Sequence, residues 1–227
     1  VNAITSATGT LREDAVIGTT VTVTPALAAT DADQGLDHGT IHWEIVGGNT
    51  DGYFSMQRDG TITLVKKLDY ETVKLITLNV QAVDGPGKRS TVIENVAISV
   101  TDYNDNAPVF SAIHSTVNIL AGFTNGTDLL DFAPLLSDQD SGVNGQYALS
   151  FGTPTASFNF DTTTGLKLQN KIPLPVTPTQ YILEIVATDK GTIPGPLAAT
   201  ATVTVNVLDN NLNSPTFGAD STITLSE

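Results

Sequence analysis

The stretch Asp102-Tyr-Asn-Asp-Asn-Ala-Pro-Val-Phe110 organises this chain, because it returns as Asp209-Asn-Asn-Leu-Asn-Ser-Pro-Thr-Phe217 at an offset of 107. The same offset carries Val96, Ile98 and Val100 onto Val203, Val205 and Val207. It also carries Asp31-Ala-Asp-Gln-Gly onto Asp138-Gln-Asp-Ser-Gly. Gln-Ala-Val-Asp84 returns as Val-Ala-Thr-Asp189 at 105, and Gly18-Thr19 as Gly126-Thr127 at 108. Blocks held at so constant a spacing mean tandem copies of one unit. The spacing predicts a first copy over 1–103, a linker over 104–107 and a second copy over 108–210. Residues 211–227 read as a further linker and the start of a third copy.

Each copy reads as all-β. Ile76, Leu78, Val80 and Ala82 alternate with Thr77, Asn79 and Gln81. A period of two is that of a strand with one buried face. Tyr181, Leu183, Ile185 and Ala187 repeat the pattern in the second copy. Gly and Pro punctuate at short intervals, and no stretch carries a helical stripe. About seven short strands in roughly 100 residues suit a Greek-key, Ig-like β-sandwich. The expected architecture is therefore two tandem seven-stranded sandwiches. Trp43, in Ile-His-Trp-Glu-Ile, falls in a strand pattern and is expected to be core or half-buried packing.

Composition narrows the function. The 227 residues hold 24 Asp+Glu against 10 Lys+Arg, a net charge of −14. Such a chain has no cationic surface with which to displace counterions from nucleic acid. There is no cysteine, so disulfides, thiolate metal sites and thiol nucleophiles are excluded. No apolar run reaches the ~18 residues of a membrane-spanning helix, and no direct membrane contact is expected. His38, His42 and His114 are scattered, with no nucleophile pattern beside them. The chain reads as a non-enzyme, and its acidity suits a cation.

The acids sit at strand ends. Glu13, Asp69, Glu71, Asp102 and Asp105 fall at one end of the first copy, because alternating strand directions gather their segments there. Asp138, Asp140 and Asp189 fall at the facing end of the second. Eight carboxylates, the Asn104 amide and the carbonyls of Tyr103 and Asn106 make an all-oxygen donor set. Calcium takes six to eight such oxygens, whereas magnesium resists all-protein cages. Zinc would want His or Cys.

These motifs resemble those of the cadherin family, over the whole chain. Asp102–Phe110 is similar to its inter-repeat linker, D-x-N-D-N-x-P-x-F. Leu68-Asp-Tyr-Glu71 resembles L-D-R-E with Tyr for Arg, and Arg12-Glu13-Asp14 matches x-E-x. Asp138-Gln-Asp-Ser-Gly-Val-Asn144-Gly resembles D-x-D-x-G-x-N-G, and Asp189 matches the remaining x-D-x. The resemblance implies about three calcium ions at this linker, held by the residues above with Asn144. It implies extracellular cadherin repeats of a long, non-classical plasma-membrane protein. Their role would be calcium-dependent cell–cell adhesion, homophilic or heterophilic, beside neighbouring repeats of the same chain. A passive spacer or a ligand-binding receptor segment is the alternative.

The pattern fails at the far end of the second copy. Ala121 stands where Glu13 would repeat, Leu174 and Val176 where Asp69 and Glu71 would, and Leu212 where Asp105 would. Only Asp209 remains, so the joint after the second copy is expected to be calcium-depleted and bent or flexible. Asp31, Asp33 and Asp84 of the first copy read as half a site. Val1, Asn2 and Ala3 offer no tryptophan for strand-swapped adhesion. Asn125-Gly-Thr is the one N-glycosylation sequon.

Overall fold

Alternating apolar side chains fold into strands that put one face inward, and the first copy does so. The computed structural model describes residues 6–32, 40–123, 125–160, 165–168 and 179–209. The first copy contributes β1 (Ala7–Arg12), β2 (Ile41–Gly47), β3 (Phe54–Met56), β4 (Ile62–Leu64), β5 (Leu75–Asp84) and β6 (Glu94–Thr101). One sheet has the order β1-β6-β5-β2, with β1 parallel to β6 and the other neighbours antiparallel. The opposite layer is the β3–β4 hairpin with residues 19–24 laid along it. Val21 N–H donates to Ile62 O at 2.9 Å, and Leu64 N–H to Thr19 O at 2.9 Å. Thr8 and Thr24 exchange both backbone bonds at 2.8 Å, which ties the two layers at one edge.

The register explains the core. In β5, Ile76, Leu78 and Val80 are buried while Leu75 and Thr77 face water. They meet Val96 and Ile98 of β6, and Phe54, Ile62 and Leu64 from the hairpin. Trp43 packs half-buried against this cluster, as its strand pattern indicated.

The second copy adds β7 (Val109–Phe110), β8 (His114–Leu120), β9 (Asp128–Asp131), β10 (Leu136–Ser137), β11 (Tyr147–Phe151), β12 (Phe158–Phe160), β13 (Gly165–Leu168), β14 (Gln180–Asp189) and β15 (Ala198–Leu208). Its main sheet is β11-β14-β15-β8, again with the first strand of the copy's sheet, β8, parallel to the last, β15. Beside it lie a three-stranded sheet, β12-β13-β9, and the β7–β10 pair. Its core is a separate cluster, with Phe132, Phe158, Ile185, Val203 and Val205 buried. Phe151 stacks on Phe160 with centroids 4.6 Å apart, and Phe158 meets Tyr181 edge-on at 5.1 Å.

Two compact units divide the chain. The first is Val1–Asn106 with Gln139–Gln146 and Gly191–Pro196; the second is Ala107–Asp138, Tyr147–Lys190 and Leu197–Glu227. Two loops from the second copy's sequence therefore group with the first unit. Asn125 is exposed in a turn, with Gly126 at φ +85°, so its sequon is accessible. Among the described residues no helix is long and apolar enough to cross a membrane.

The strand register makes a paired prediction. Leu78→Ala should lower unfolding free energy by about 2–5 kcal/mol, the range for an emptied core position. Leu75→Ala, three residues away but 58% exposed, should change it by about 0.5 kcal/mol or less. Urea denaturation of the two variants checks this, and comparable losses would refute the register.

Candidate metal centre

Glu13 leaves β1 and turns its carboxylate inward, where it is only 4% exposed. Its backbone N–H donates to Thr101 O at 3.1 Å, which continues the β1–β6 pairing by one residue. Oε2 accepts the Tyr70 N–H at 2.6 Å and Oε1 the Tyr103 N–H at 2.7 Å. One side chain thus fixes two remote segments, the turn before β5 and the segment after β6. Burial raises the Glu13 pKa against the pull of these two hydrogen bonds, and the charges of Asp105 and Asp102 add to the rise.

Asp69 and Glu71 come from the turn that Glu13 anchors. Asp69 organises it: Thr72 N–H reaches Asp69 Oδ1 at 3.3 Å, and Val73 N–H reaches Asp69 O at 2.8 Å. The Glu71 carboxyl is pushed up to about 7, first by burial and then by the charges of Glu13 and Asp105. Its Oε1 is buried with no hydrogen-bond partner. Glu13, Glu71 and Asp102 each place an oxygen within 4.8 Å of the others.

The segment after β6 is held from two sides. Asp102 accepts Ser141 N–H at 3.1 Å and the Asn144 Nδ2 amide at 2.7 Å. Asp105 N–H donates to Tyr103 O at 2.8 Å, closing a tight turn. Asn106 Nδ2 donates to Asp105 Oδ1 at 2.9 Å and to Asp140 Oδ1 at 2.8 Å. Asp140 is buried, and burial raises its pKa, with Asp102 and Asp105 adding repulsion. Asn104 is fully buried, and its Nδ2 donates to Gly195 O at 2.8 Å.

Two glycines are required by these approaches. A Cβ on Gly145 would strike the Asp140 carbonyl, and one on Gly191 would strike the Asn104 side chain. Gly145 follows Asn144 in the quoted motif, but nothing in the sequence marks Gly191, Gly195 or the Ser141 hydroxyl that meets Tyr70 OH at 3.2 Å.

The first unit thus collects Glu13, Asp69, Glu71, Asp102, Asp105 and Asp140 around Asn104, Asn106 and Asn144. Asp138 and Asp189 belong to the second unit. There Asp189 is buried at the end of β14, and its Oδ2 accepts Leu197 N–H at 3.0 Å. Asp84 does the same in the first unit, accepting Lys88 N–H at 2.6 Å. Asp31 is exposed, and Asp33, Leu174, Val176 and Leu212 lie outside the described residues.

Lys67 lines the same cavity as Glu13, Asp69, Glu71 and Asp105, and three other basic side chains nearby are engaged elsewhere. Arg12 forms a bidentate pair with Asp14, at 2.6 and 2.7 Å, and lies over the Tyr103 ring. Lys74 lies over Tyr70 and Lys66 over Tyr53. Among the described residues, Glu13, Asp69, Glu71, Asp102 and Asp105 form no ion pair. Carboxylates at such spacing repel by roughly 3 kcal/mol per pair at an effective dielectric near 20. An all-oxygen, negatively charged set with a partnerless buried oxygen fits a hard divalent cation.

The family model for the cadherin domain matches residues 7–101. The chain is 35% identical over 207 residues to the Fat-like cadherin-related tumor suppressor homolog of Drosophila melanogaster. It is 34% identical over 206 residues to protocadherin Fat 1 of Homo sapiens. Mouse cadherin-23 EC22-24 superposes with a TM-score of 0.76 at 32% identity, covering 90% of this chain and 62% of that one. The chain belongs to the cadherin superfamily. The two relatives are matched over 90% of this chain but only 4% of their own length. They place these cadherin repeats with the long, non-classical type.

The cluster's charge gives a variant of opposite sign in two conditions. At pH 8 in chelator, Glu71→Gln should raise the unfolding temperature by several degrees or more, since it removes one buried like charge from beside Glu13 and Asp105, each such pair repelling by roughly 3 kcal/mol. In millimolar calcium the same variant should be the less stable protein. Thermal scans in both buffers check this, and a shift of the same sign in both would contradict the cluster's assignment.

Proposed function

We propose that this chain is a segment of an extracellular cadherin ectodomain whose first repeat ends in a calcium-binding site. The carrying observation is the Glu13–Glu71–Asp102 cluster, three carboxylates within 4.8 Å. Burial without a proton, a cation or a hydrogen bond for Glu71 Oε1 is costly. Calcium is the cation whose coordination this set suits, because it accepts carboxylates, amide oxygens and carbonyls in irregular number.

In this reading Glu13, Asp69, Glu71, Asp102, Asp105 and Asp140 supply carboxylate oxygens. Asn104 supplies its amide, and Tyr103 and Asn106 their carbonyls. Asn144 adds to the set and positions Asp102 through its amide nitrogen. Asp138 and Asp189 complete the set on the sequence pattern alone. About three ions fit this number of ligands at the usual six to eight oxygens each, with carboxylates shared. Bound calcium supplies positive charge that turns a repelling cluster into a stiff one. The first linker is then rigid in calcium and loose without it.

The biological role is adhesive: cell–cell adhesion outside the plasma membrane, with another cadherin as partner and neighbouring repeats in line. Support comes from the family.

The affinity expected of an extracellular module is of order 10⁻⁴–10⁻³ M. At a tenfold excess over that value calcium should stabilise the folded chain by roughly 1.4 kcal/mol. That corresponds to about 5–10 °C in unfolding temperature for a domain near 100 residues. Asp105→Ala should remove most of this shift, because Asp105 sits beside Glu13, Glu71 and Asp140 at once. Calorimetric scans with calcium and with chelator test it, and an undiminished shift in the variant would overturn the proposal.

A further inference from the structure

The two repeats end on the same backbone frame with different chemistry. In the first, Arg12 pairs with Thr101 across β1 and β6. In the second, Leu120 pairs with Leu208 across β8 and β15. Glu13 N–H donates to Thr101 O at 3.1 Å, and Ala121 N–H to Leu208 O at 2.8 Å. The turn that follows is shared as well, with Ala15 N–H to Arg12 O in one and Phe123 N–H to Leu120 O in the other. The shared pairing and backbone hydrogen bonds make Ala121 the structural counterpart of Glu13. Arg12, Glu13, Ala15 and Thr101 have become Leu120, Ala121, Phe123 and Leu208.

The substituted end is apolar and open. Leu120 is 43% exposed, Phe123 36% and Leu208 47%, around an Ala121 that is 1% exposed. Three large apolar side chains gathered at a strand end are a contact surface more readily than a scatter of single exposures.

We propose that this end of the second unit is a calcium-free, apolar docking face for the cadherin repeat that follows it in the chain. The occupant would be that repeat's counterparts of loops 139–146 and 191–196. The first unit supplies the precedent: those two loops belong to its compact body, donating to Asp102 from Ser141 and Asn144 and accepting from Asn104 at Gly195. The 209–217 motif announces another repeat, as 102–110 announces the second copy. The chain also leaves β15 at Leu208 itself, so the following repeat is tethered at the patch and meets it at high effective concentration. Asp209 is the one carboxylate kept from the five-acid pattern at this end, too few to hold calcium. The inference rests on reading the first unit's end as the calcium site.

Hydrogen exchange on the ectodomain with a complete following repeat separates the two readings. Peptides covering 118–123 and 206–208 should be protected equally in millimolar calcium and in chelator. Peptides covering 102–106 should lose protection in chelator, and that arm alone reports on the calcium site. Leu208→Asp should lower protection at 118–123 by about tenfold, the factor for one leucine's burial. The 227-residue chain, lacking the following repeat, should show the same low protection. Calcium-dependent protection at 118–123, or no protection in either buffer, would overturn the docking face. Sedimentation equilibrium supplies the remaining outcome: a dimer abolished by Leu208→Asp would give the patch to a second copy instead.

Discussion

The Glu13 carboxylate accepts one backbone N–H from Tyr70 and one from Tyr103, residues 57 and 90 positions away in sequence. Such hydrogen bonds to a charged acceptor are strong, of order 1.5–3 kcal/mol each. They bring the Asp69–Glu71 turn and the 102–106 segment to one place, so the other acids follow from this one. The same bonds commit the protein to a buried negative charge. Once Glu13 is inside, Glu71 and Asp102 must share its surroundings, and the rise of the Glu71 pKa to about 7 records the strain of that arrangement. Lys66 and Lys67 line the same cavity as Glu13, Asp69, Glu71 and Asp105, but among the described residues none of these acids is ion-paired, and so much unpaired like charge fits a cation from solution.

The hydrogen bonds around the cluster also sort the acids by role. Asp102 and Asp140 are tethered by amides from Asn144 and Asn106, which hold their oxygens in place without neutralising them. Asp69 caps its own turn. Glu71 keeps one oxygen with no partner, and it therefore has the most to gain from a metal. Rigid presentation of oxygens lowers the ordering cost of binding. The tyrosines contribute in another way. Tyr103 and Tyr70 hold the Arg12 and Lys74 cations over their rings, and Arg12 pairs its charge with Asp14.

Much of this was legible in the sequence, and the reason is periodicity. The alternation in 75–82 is matched by the burial of β5, because one sheet face is core and the other is more open to water, whereas Val83 and Asp84 are buried together at the strand's end. The gathering of Glu13, Glu71 and Asp102 was expected from the motif around Asp102, in whose copy at 209–217 Leu212 replaces Asp105. What stayed hidden depends on distant pairs. Gly191 matters because the Asn104 side chain fills the space its Cβ would take, and no local pattern reports a contact across 87 positions. The Tyr70 substitution in the L-D-R-E motif likewise acquires meaning only from Ser141 beside its hydroxyl. Leu120 and Leu208 carry no local mark in the sequence, and only the strand register sets them opposite each other.

The two strand ends show how one backbone frame supports opposite chemistries. The Glu13 N–H and the Ala121 N–H make the same bond to the last strand of their sandwich, so the frame does not depend on the side chain. Replacing a buried carboxylate by a methyl group removes two acceptors for backbone N–H groups and the charge with them. Without that charge there is nothing for neighbouring acids to be balanced against through a shared ion, and each of them would be a desolvated charge with no partner. Loss of one acid therefore favours loss of the rest, and apolar neighbours such as Leu120 and Leu208 become the stable choice. A repeat of this kind can thus change from an ionic end to an apolar one as a set, while its sandwich, with its own separate core, is left untouched.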